Sequence, residues 1–212
     1  MTTTEPEIVI LSGSLGETSR TNRLAQWCAR QCASRAHPTV FAGADLAFPF
    51  YQPHLADPAP QTRPFLGALS RADGVVVISP AYHGTVSGLL KNALDYVNEL
   101  ADAPQPYLDG RPLGCVAIGA GDQGAASTLQ TLRTVGHALR SWPTPMGVGL
   151  SQTRAELTGD GEPVDEQARN QLRVMTEQVI TLARINARRR AARAAARVND
   201  LPAAPVSAGG VR

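Results

Sequence analysis

At 212 residues, of which 43% are hydrophobic, the chain is long enough for one globular domain with a sizeable core, and we do not expect a second domain. The formal net charge of +2 gives no reason to expect a nucleic-acid partner. Because no apolar run approaches the length that spans a bilayer, and no signal-type segment opens the chain, we expect a cytoplasmic protein without a membrane partner.

The first predicted strand, Ile8 to Leu11, leads into a loop of small and hydroxyl-bearing residues, and a helical pattern begins near Asn22. A helix N-terminus carries unpaired backbone N–H groups and a partial positive charge, so a phosphate is stabilised there. The hydroxyl side chains of this stretch can each donate a hydrogen bond to an anion; they are Ser12, Ser14, Thr18, Ser19 and Thr21. The loop therefore predicts an anion-binding site.

This loop lacks the patterns of nucleotide-phosphate loops. A Walker loop needs G-x-x-x-x-G-K-[ST] and a dinucleotide fingerprint needs G-x-G-x-x-G, whereas Gly13 and Gly16 are the only glycines here and no Lys follows. The pattern suits a single terminal phosphate held by hydroxyl groups, such as that of FMN. The alternative is a loop that only caps its helix, with Thr21 or Asn22 as the N-cap residue.

Further strands and helices alternate along the chain. The clearest buried strand is Asp73 to Ser79, which contains three consecutive valines. Before it, the proline-interrupted aromatic stretch Leu46 to Pro53 predicts an irregular loop of the kind that frames a pocket or an interface. The other predicted elements are strands at Thr39 to Gly43, Leu113 to Gly119 and, more weakly, Thr144 to Leu150, and helices at Phe65 to Arg71, Leu90 to Val97, Leu129 to Leu139 and Val164 to Val198.

The cysteines Cys28, Cys32 and Cys115 have no metal-type spacing against His, and no metal site is expected. Cys28 and Cys32 are four residues apart on the first predicted helix, in line with Leu24. We expect them to be small buried residues in a reducing compartment, without a catalytic role.

Alternating strands and helices predict an α/β fold with a parallel sheet and helices on both faces. Five strands suit a flavodoxin-like three-layer sandwich of order 2-1-3-4-5, in which a ligand binds beyond the carboxyl ends of strands 1 and 3. We expect one domain over residues 1–198, with its core at 7–150 and a long final helix from about 164 to 198, followed by a disordered tail at 199–212.

Two motifs follow the first and third predicted strands. The first is Gly13-Ser-Leu with Ser19 and Thr21 behind it; the second is Pro80-x-Tyr-x-Gly followed by Ser-Gly-x-Leu-Lys-Asn-x-Leu-Asp over residues 87–95. Together they resemble the NAD(P)H-dependent FMN reductase family, which has a flavodoxin-like fold and includes flavin, quinone, azo-dye and chromate reductases. The resemblance covers about residues 7 to 150, and the second motif is the more specific one.

The resemblance implies FMN as cofactor, NADPH or NADH as reductant, and transfer of two electrons to free flavin, a quinone or another small acceptor. It requires no catalytic side chain, because the cofactor carries the reactivity. The cofactor-binding residues that it implies are Ser14, Ser19, Thr21 and Asn22 around the FMN phosphate, Pro80, Ala81, Tyr82, His83 and Gly84 along the flavin ring, and Gly121 and Asp122 near its pyrimidine or ribityl side.

Some positions depart from the family pattern. The family often has an arginine at position 16, which is Gly here, so we expect Arg20 or Arg23 to replace it at the phosphate. The family's frequent Pro-Glu-Tyr-Asn is Pro-Ala-Tyr-His at residues 80–83, which leaves the acceptor and the choice of nicotinamide open.

Two further features of the motifs have simple structural readings. Gly84 and Gly121 would let the backbone approach a flat ring closely, or they are ordinary turn glycines. Lys91 and Asp95 are spaced i, i+4 on a predicted helix, so we expect them to pair with each other.

Two other functions compete with an NAD(P)H-dependent reductase. One is a non-enzymatic electron carrier of flavodoxin type, although such carriers are usually strongly acidic. The other is an interaction protein in which an Arg-rich segment contacts nucleic acid; its arginines exceed what the core needs and favour a solvated helix end, and they are Arg184, Arg188, Arg189, Arg190, Arg193 and Arg197. For a reductase we expect a homodimer or homotetramer, and a flavin-dependent monooxygenase as a possible recipient of reduced flavin.

Overall fold

The computed structural model describes residues 5–53 and 59–199, which form seven strands and five α-helices. The strands are β1 (Glu7–Ser12), β2 (His37–Ala42), β3 (Gly74–Tyr82), β4 (Thr85–Val86), β5 (Pro112–Gly119), β6 (Trp142–Pro143) and β7 (Val148–Ser151), and the helices are α1 (Arg20–Cys32), α2 (Arg63–Arg71), α3 (Gly88–Asp95), α4 (Asp122–Ala138) and α5 (Glu166–Asn199). Short 3-10 helices add Gly43–Leu46, Pro60–Thr62 and Tyr96–Leu100. Of the predicted tail, residues 200–212 lie outside the described part of the chain.

The main sheet is parallel and has the predicted order. Strand β1 lies between β2 and β3, and β5 follows β3, so the chain reverses its direction of winding next to β1 and β3. The fifth position is shared by β6, which pairs with the start of β5, and β7, which pairs with its end. The predicted order 2-1-3-4-5 is confirmed, with one interrupted strand in the last position.

The prediction of one continuous fifth strand over Thr144 to Leu150 was wrong, and proline explains the difference. Pro143 ends β6 and Pro145 follows it, and neither has an N–H group to donate to the ladder. The Arg133 guanidinium stabilises the segment between β6 and β7 by donating to the carbonyls of Thr144 and Pro145 at 2.8 and 2.9 Å.

Strand β3 runs three residues past the predicted end at Ser79 and turns back on itself. Ala81 and Tyr82 pair antiparallel with Val86 and Thr85 of β4. This small hairpin, which we call the β3–β4 hairpin, was not predicted. It stands at the carboxyl edge of the sheet, because it continues β3 beyond its parallel neighbours.

Two apolar clusters fill the space on either side of the sheet. Strand side chains on one face of the sheet, such as those of Ile10 and Ile78, pack against α1 and α5. Strand side chains on the other face, such as those of Leu11 and Val77, pack against α2, α3 and Leu132 of α4. The period-2 alternation of each strand therefore supplies both cores of a three-layer sandwich.

Helix α5 is held at the amino edge of the sheet by an ion pair between the partly exposed Arg190 and the buried Asp73. Arg190 donates two hydrogen bonds to the carboxylate of Asp73, at 3.1 and 2.7 Å, and the Asp73 side chain is 3% exposed. The Asn186 amide donates to the carbonyls of Asp73 and Gly110. Arg190 is thus part of the folded domain, and the expectation that all the arginines of this segment exceed the needs of the core was wrong for this residue.

A buried arginine, Arg111, precedes β5 and is 1% exposed. Its guanidinium donates to the carbonyls of Ala72, Tyr107 and Ser70 at 2.8, 3.0 and 3.0 Å. Ser70 and Ala72 lie at the end of α2, where backbone carbonyls have no helical partner and the helix dipole is negative. Arg111 therefore caps α2 from a distant part of the chain.

The three cysteines are free and buried, which confirms the expected burial of Cys28 and Cys32. Burial raises the pKa of the Cys28 thiol, raises the pKa of Cys32 to about 11 and raises that of Cys115 to about 12. In the unfolded chain these thiols ionise near their ordinary value of 9.0.

A pH dependence of stability follows from these thiols. Between pH 9 and 11 the unfolded chain loses thiol protons that the native protein keeps, so the free energy of unfolding falls as pH rises, by up to about 1.4 kcal/mol per pH unit for each thiol. We expect Cys28→Ala/Cys32→Ala to show a shallower decline over this range in urea denaturation with a reductant present. An equal decline in the variant and the native protein would contradict the prediction.

In the described residues, no helix is both long enough and apolar enough to cross a bilayer.

Candidate functional site

The loop after β1 is closed by Ser19, the N-cap residue of α1. The Ser19 hydroxyl accepts from the N–H of Asn22 at 3.2 Å and lies 3.2 Å from the Thr21 hydroxyl. The expectation that Thr21 or Asn22 caps the helix was therefore wrong by a few residues. Thr21 is buried, Ser19 is half-buried and Thr18 is exposed, so Ser19 is the more accessible of the two hydroxyls in the Ser19–Thr21 pair.

Asn22 organises the loop from inside. Its amide oxygen accepts from the hydroxyl of Ser12 at 2.5 Å, and its amide nitrogen donates to the carbonyls of Ser14 and Gly16 at 3.2 and 2.8 Å. The carbonyl oxygens are thereby drawn inward. Because the Asn22 side chain is fully used in this way, its contribution to an anion site is to shape the loop.

Sequence analysis proposed that Arg20 or Arg23 replaces the arginine that the family often has at position 16. In the structure these two arginines have different surroundings. Arg23 donates to the carbonyls of Leu157 and Thr158, so it holds the loop after β7 against α1. Arg20 is exposed, begins α1 and has no hydrogen-bond or ion-pair partner among the described residues. Arg20 is the cation that is free to meet an anion at this helix start.

Gly13 joins this loop to the segment after β3. Its N–H donates to the carbonyl of Ile78 at 2.9 Å. A Cβ at position 13 would lie 2.6 Å from the Ser87 hydroxyl oxygen, 2.9 Å from Leu90 Cβ and 3.4 Å from Pro80 Cδ. The loop after β1 therefore lies in direct contact with the start of α3, and only glycine permits that approach.

The β3–β4 hairpin turns through His83 and Gly84, which have φ values of 52° and 82°. Positive φ at both central residues is the geometry of a type I′ turn. Tyr82 and His83 are exposed, Tyr82 by 55%, while Pro80, Ala81 and Gly84 are half-buried. Gly84 is thus a turn glycine by its backbone conformation.

The hairpin is held from the other side by the start of α4. The Ser127 hydroxyl donates to the Gly84 carbonyl at 2.6 Å, and a Cβ on Gly124 would lie 3.9 Å from that of Ala81. Gly121 and Asp122, at the N-terminus of α4, are exposed, and no atom lies within 4 Å of a Cβ built on Gly121. Gly121 has an extended backbone that other residues adopt equally well.

The segments that sequence analysis assigned to one site are therefore neighbours. The loop after β1 contacts the start of α3, and the hairpin at the end of β3 contacts the start of α4. All of them lie at the carboxyl edge of the sheet next to the reversal of strand order, where ligands bind in open α/β sheets.

Comparison with known proteins decides the family. A profile of the NADPH-dependent FMN reductase family matches residues 6–154. The chain belongs to this family. Membership makes it an enzyme, an oxidoreductase that works with FMN and with NAD(P)H as the reductant.

Individual relatives of the reductase agree with this assignment. The chain is 25% identical to an FMN-dependent NADPH-azoreductase of Staphylococcus haemolyticus over 183 residues, 82% of this chain and 93% of the relative. It is 37% identical to a quinone reductase of Escherichia coli over 67 residues, 32% of this chain and 34% of the relative. The structure of the flavoenzyme NAD(P)H:(acceptor) oxidoreductase FerB from Paracoccus denitrificans superposes with a TM-score of 0.71 at 19% identity, over 85% of this chain and 98% of FerB.

The residues of the reductase fit the two ends of FMN. The loop after β1 offers the exposed Arg20 guanidinium, the Ser14 and Ser19 hydroxyls and the N–H groups of the first turn of α1, a donor set suited to a phosphate. The hairpin and the open space beside Gly121 offer a surface without charged side chains except Asp122. A phosphate at one end and a flat ring at the other match that arrangement.

One residue of the second motif has a role that sequence analysis missed. The Asn92 amide donates to the carbonyls of Phe48 and Pro49 at 3.2 and 2.9 Å and accepts from the N–H of Tyr51 at 2.9 Å. It therefore clamps the aromatic loop after β2 onto α3. The asparagine of the Lys-Asn-x-Leu-Asp pattern was visible in the sequence, but its distant partners were not.

The neighbouring Lys91 and Asp95 pair with each other at 2.6 Å, as expected from their spacing. Both side chains are largely exposed, so the pair contributes a few tenths of a kcal/mol to the helix. Nothing in this geometry gives Lys91 a catalytic role.

Substitutions at His83 and Gly84 test the assignment of positive φ values to both residues of the hairpin turn. His83→Asn is expected to leave stability unchanged or raise it by a few tenths of a kcal/mol, because Asn adopts positive φ more readily than other non-glycine residues. Gly84→Ala is expected to cost about 1–2 kcal/mol through its φ of 82°, although its Cβ would meet only Ser127 at 3.9 Å. Thermal unfolding compares the two variants, and equal midpoints for both would contradict the assignment of the turn.

A shallow depression on the surface of the reductase lies elsewhere, at the start of α5. It is bordered by Met146, Asp165, Glu166, Gln167, Asn170, Gln171 and Val174. Its border holds no glycine loop and no hydroxyl cluster, and the carboxylate of Asp165 is already paired with Arg154 at 3.6 Å. The chemistry of the donors therefore assigns the candidate site to the carboxyl edge of the sheet.

Proposed function

We propose that the protein uses NAD(P)H to reduce FMN held at the carboxyl edge of the sheet, and passes two electrons to free flavin, a quinone or an azo compound. The observation that carries this proposal is the contact of Gly13 with Ser87 and Leu90. It brings an anion-binding loop and an uncharged hairpin into one site, and FMN has the two ends that such a site needs.

In this proposal the residues have distinct tasks. Ser14, Ser19 and Arg20 bind the phosphate, while Thr21 and Asn22 keep the loop in shape. Pro80, Ala81, Tyr82, His83 and Gly84 lie along the flavin ring, with Gly121 and Asp122 at its far side. FMN supplies the redox chemistry when bound, so the side chains bind, orient and limit the access of water.

An absorbance titration tests the proposal directly. The purified protein is mixed with FMN, then with NADPH or NADH under anaerobic conditions, and finally with menadione, an azo dye or riboflavin. We expect bleaching of the flavin absorbance by one nicotinamide and its recovery with an acceptor. A protein that binds FMN but does not oxidise either nicotinamide would be an electron carrier instead, and one that binds no FMN would refute both functions.

Arg20→Gln tests the phosphate end of the site. Charge-assisted hydrogen bonds contribute about 1.5–3 kcal/mol, so FMN binding is expected to weaken about 10- to 100-fold while the urea midpoint stays unchanged. Arg71→Gln, which removes an exposed arginine at the amino edge, is the matched control and should bind FMN normally. Equal FMN affinity in both variants would remove Arg20 from the site.

We further propose that the protein assembles as a homodimer or homotetramer through the aromatic loop. Phe50 is 86% exposed on a loop whose backbone is hydrogen-bonded to Asn92, so its ring is available for burial against a second copy of the chain. Phe50→Ser is expected to shift the protein toward the monomer in size-exclusion chromatography. A flavin-dependent monooxygenase is a partner if the reduced flavin is released as product.

A further inference from the structure

The charge of the chain is strongly segregated. Six of its 20 basic residues are arginines between positions 184 and 197, and no Asp or Glu occurs between Glu177 and Asp200. Without those six arginines, the rest of the chain has 14 basic and 18 acidic residues, a formal charge of −4. The small net charge of the whole chain therefore conceals a strongly basic segment on a mildly acidic domain. Such asymmetry is typical of proteins that contact a polyanion.

Contacts between this segment of α5 and the domain determine which face of the helix points to solvent. Most of the arginines lie on that solvent-facing side. Asn186 and Arg190 bond to Asp73, and Ala183 and Ala187 are fully buried against the domain. The other arginines whose side chains the structure describes are exposed and have no carboxylate within 4 Å among the described residues; they are Arg184, Arg188, Arg189 and Arg193.

These four arginines, which we call the basic face, form two i, i+4 rows on a continuous helix, Arg184 with Arg188 and Arg189 with Arg193. The two rows lie about 140° apart around the helix axis, on the half that faces away from the domain. They span about 14 Å along the helix axis, at 1.5 Å per residue. Their guanidinium groups are planar, permanently charged donors that suit phosphate oxygens. Because α5 is folded before any partner arrives, little ordering cost opposes binding.

The residues of the basic face favour one class of polyanion, double-stranded DNA, over membranes and duplex RNA. A helix that binds a membrane surface needs large apolar residues beside its basic ones, and between Arg184 and Arg193 the only large apolar side chain is that of Ile185. An α-helix of about 10–12 Å diameter fits the major groove of B-form DNA, which is about 12 Å wide, whereas the major groove of duplex RNA is too narrow.

We propose that the basic face of α5 is a docking surface for the phosphate backbone of double-stranded DNA. We expect little dependence on sequence, because in this proposal the arginines contact phosphates, and Asn186, the other described side chain of this stretch that could read a base edge, is used internally. The face lies at the amino edge of the sheet, where Asp73 precedes β3, and the candidate cofactor site lies at the opposite edge. DNA docking therefore leaves the oxidoreductase site accessible.

Fluorescence anisotropy with a labelled 20-base-pair DNA duplex tests the proposal on the full chain. Four phosphate contacts predict a slope of about −3 to −4 in log affinity against log salt concentration. In the variant with Arg184, Arg188, Arg189 and Arg193 all changed to Gln, we expect binding at least 10-fold weaker at 50 mM salt and a slope smaller in magnitude by about 3. The matched variant with all four changed to Lys keeps the charge and should bind within about threefold of the native protein.

Several outcomes would overturn the proposal. They are absence of binding at 50 mM salt, equal binding by the Gln and native proteins, binding to phosphatidylserine vesicles in preference to DNA, or equal binding to duplex RNA of the same sequence. Circular dichroism of each variant shows whether α5 is still helical. NADPH oxidation by the Gln variant should equal that of the native protein, so failure of DNA binding and failure of the proposed reductase activity are read separately.

Discussion

Replacing Arg111 by Met is expected to lower the free energy of unfolding by about 3–5 kcal/mol. The side chain is fully buried and donates to three carbonyls from two other segments of the chain. Met fills much of the same volume but leaves those carbonyls buried without donors, and an unsatisfied buried polar group costs about 1–3 kcal/mol. Urea denaturation followed by circular dichroism measures the loss.

Two further variants show whether the forked geometry of Arg111 matters. Arg111→Lys keeps the charge but has a compact ammonium in place of the fork, so it should recover only part of the lost stability. Arg173→Met removes an exposed arginine whose nearest carboxylate is 3.8 Å away, and it should change stability by less than about 0.5 kcal/mol. A loss below about 1 kcal/mol in Arg111→Met would contradict the capping role.

Gly13→Ala is expected to damage both the stability of the protein and the binding of FMN at the candidate site. Its Cβ would lie 2.6 Å from the Ser87 hydroxyl oxygen and 2.9 Å from Leu90 Cβ, which forces the loop after β1 away from α3. Overpacking of this kind costs about 1–3 kcal/mol, and because the two halves of the site move apart, FMN affinity should fall about 10- to 100-fold. Isothermal titration with FMN measures the affinity.

The same loop offers a matched control for this variant. A Cβ on Gly16 would be 3.7 Å from Ser19 Cβ and 3.9 Å from the Ser14 hydroxyl, which are ordinary contacts. Gly16→Ala should therefore leave FMN affinity within about threefold of the native value. If both variants lose FMN affinity equally, the loss comes from a change within the loop itself and not from its displacement from α3.

The sheet and its order could be predicted from the sequence because they depend on local patterns. The valine run of β3 and the alternation of strands with helices were enough to place the five parallel positions. What could not be predicted depends on residues far apart in the chain. Arg111 caps a helix about 40 residues away, Arg190 reaches Asp73 across more than 100 residues, and neither pairing leaves a periodic signal.

The site was predictable in part for the same reason. The hydroxyl loop and the hairpin residues stand out in the sequence, and topology places them at one edge of the sheet. The choice between Arg20 and Arg23 was open, since it depends on the loop after β7, which occupies Arg23 with carbonyls at Leu157 and Thr158. The hydrogen bonds of Asn92 to the aromatic loop and the turn at His83 could likewise not be predicted, because they depend on residues that only the folded chain brings together.

The β3–β4 hairpin has a consequence for protein engineering. Among the described residues, strand β4 pairs with β3 alone, and the carbonyl of Gly84 in its turn accepts a hydrogen bond from Ser127. Val86 anchors β4 in the core, whereas Tyr82 and His83 are exposed. Substitutions at Tyr82 and His83 are therefore not expected to shift the register of any parallel strand, provided that Gly84 keeps its positive φ. In a library selected for new electron acceptors, these two exposed positions would vary the surface of the candidate site while the sheet and the loop after β1 stay constant.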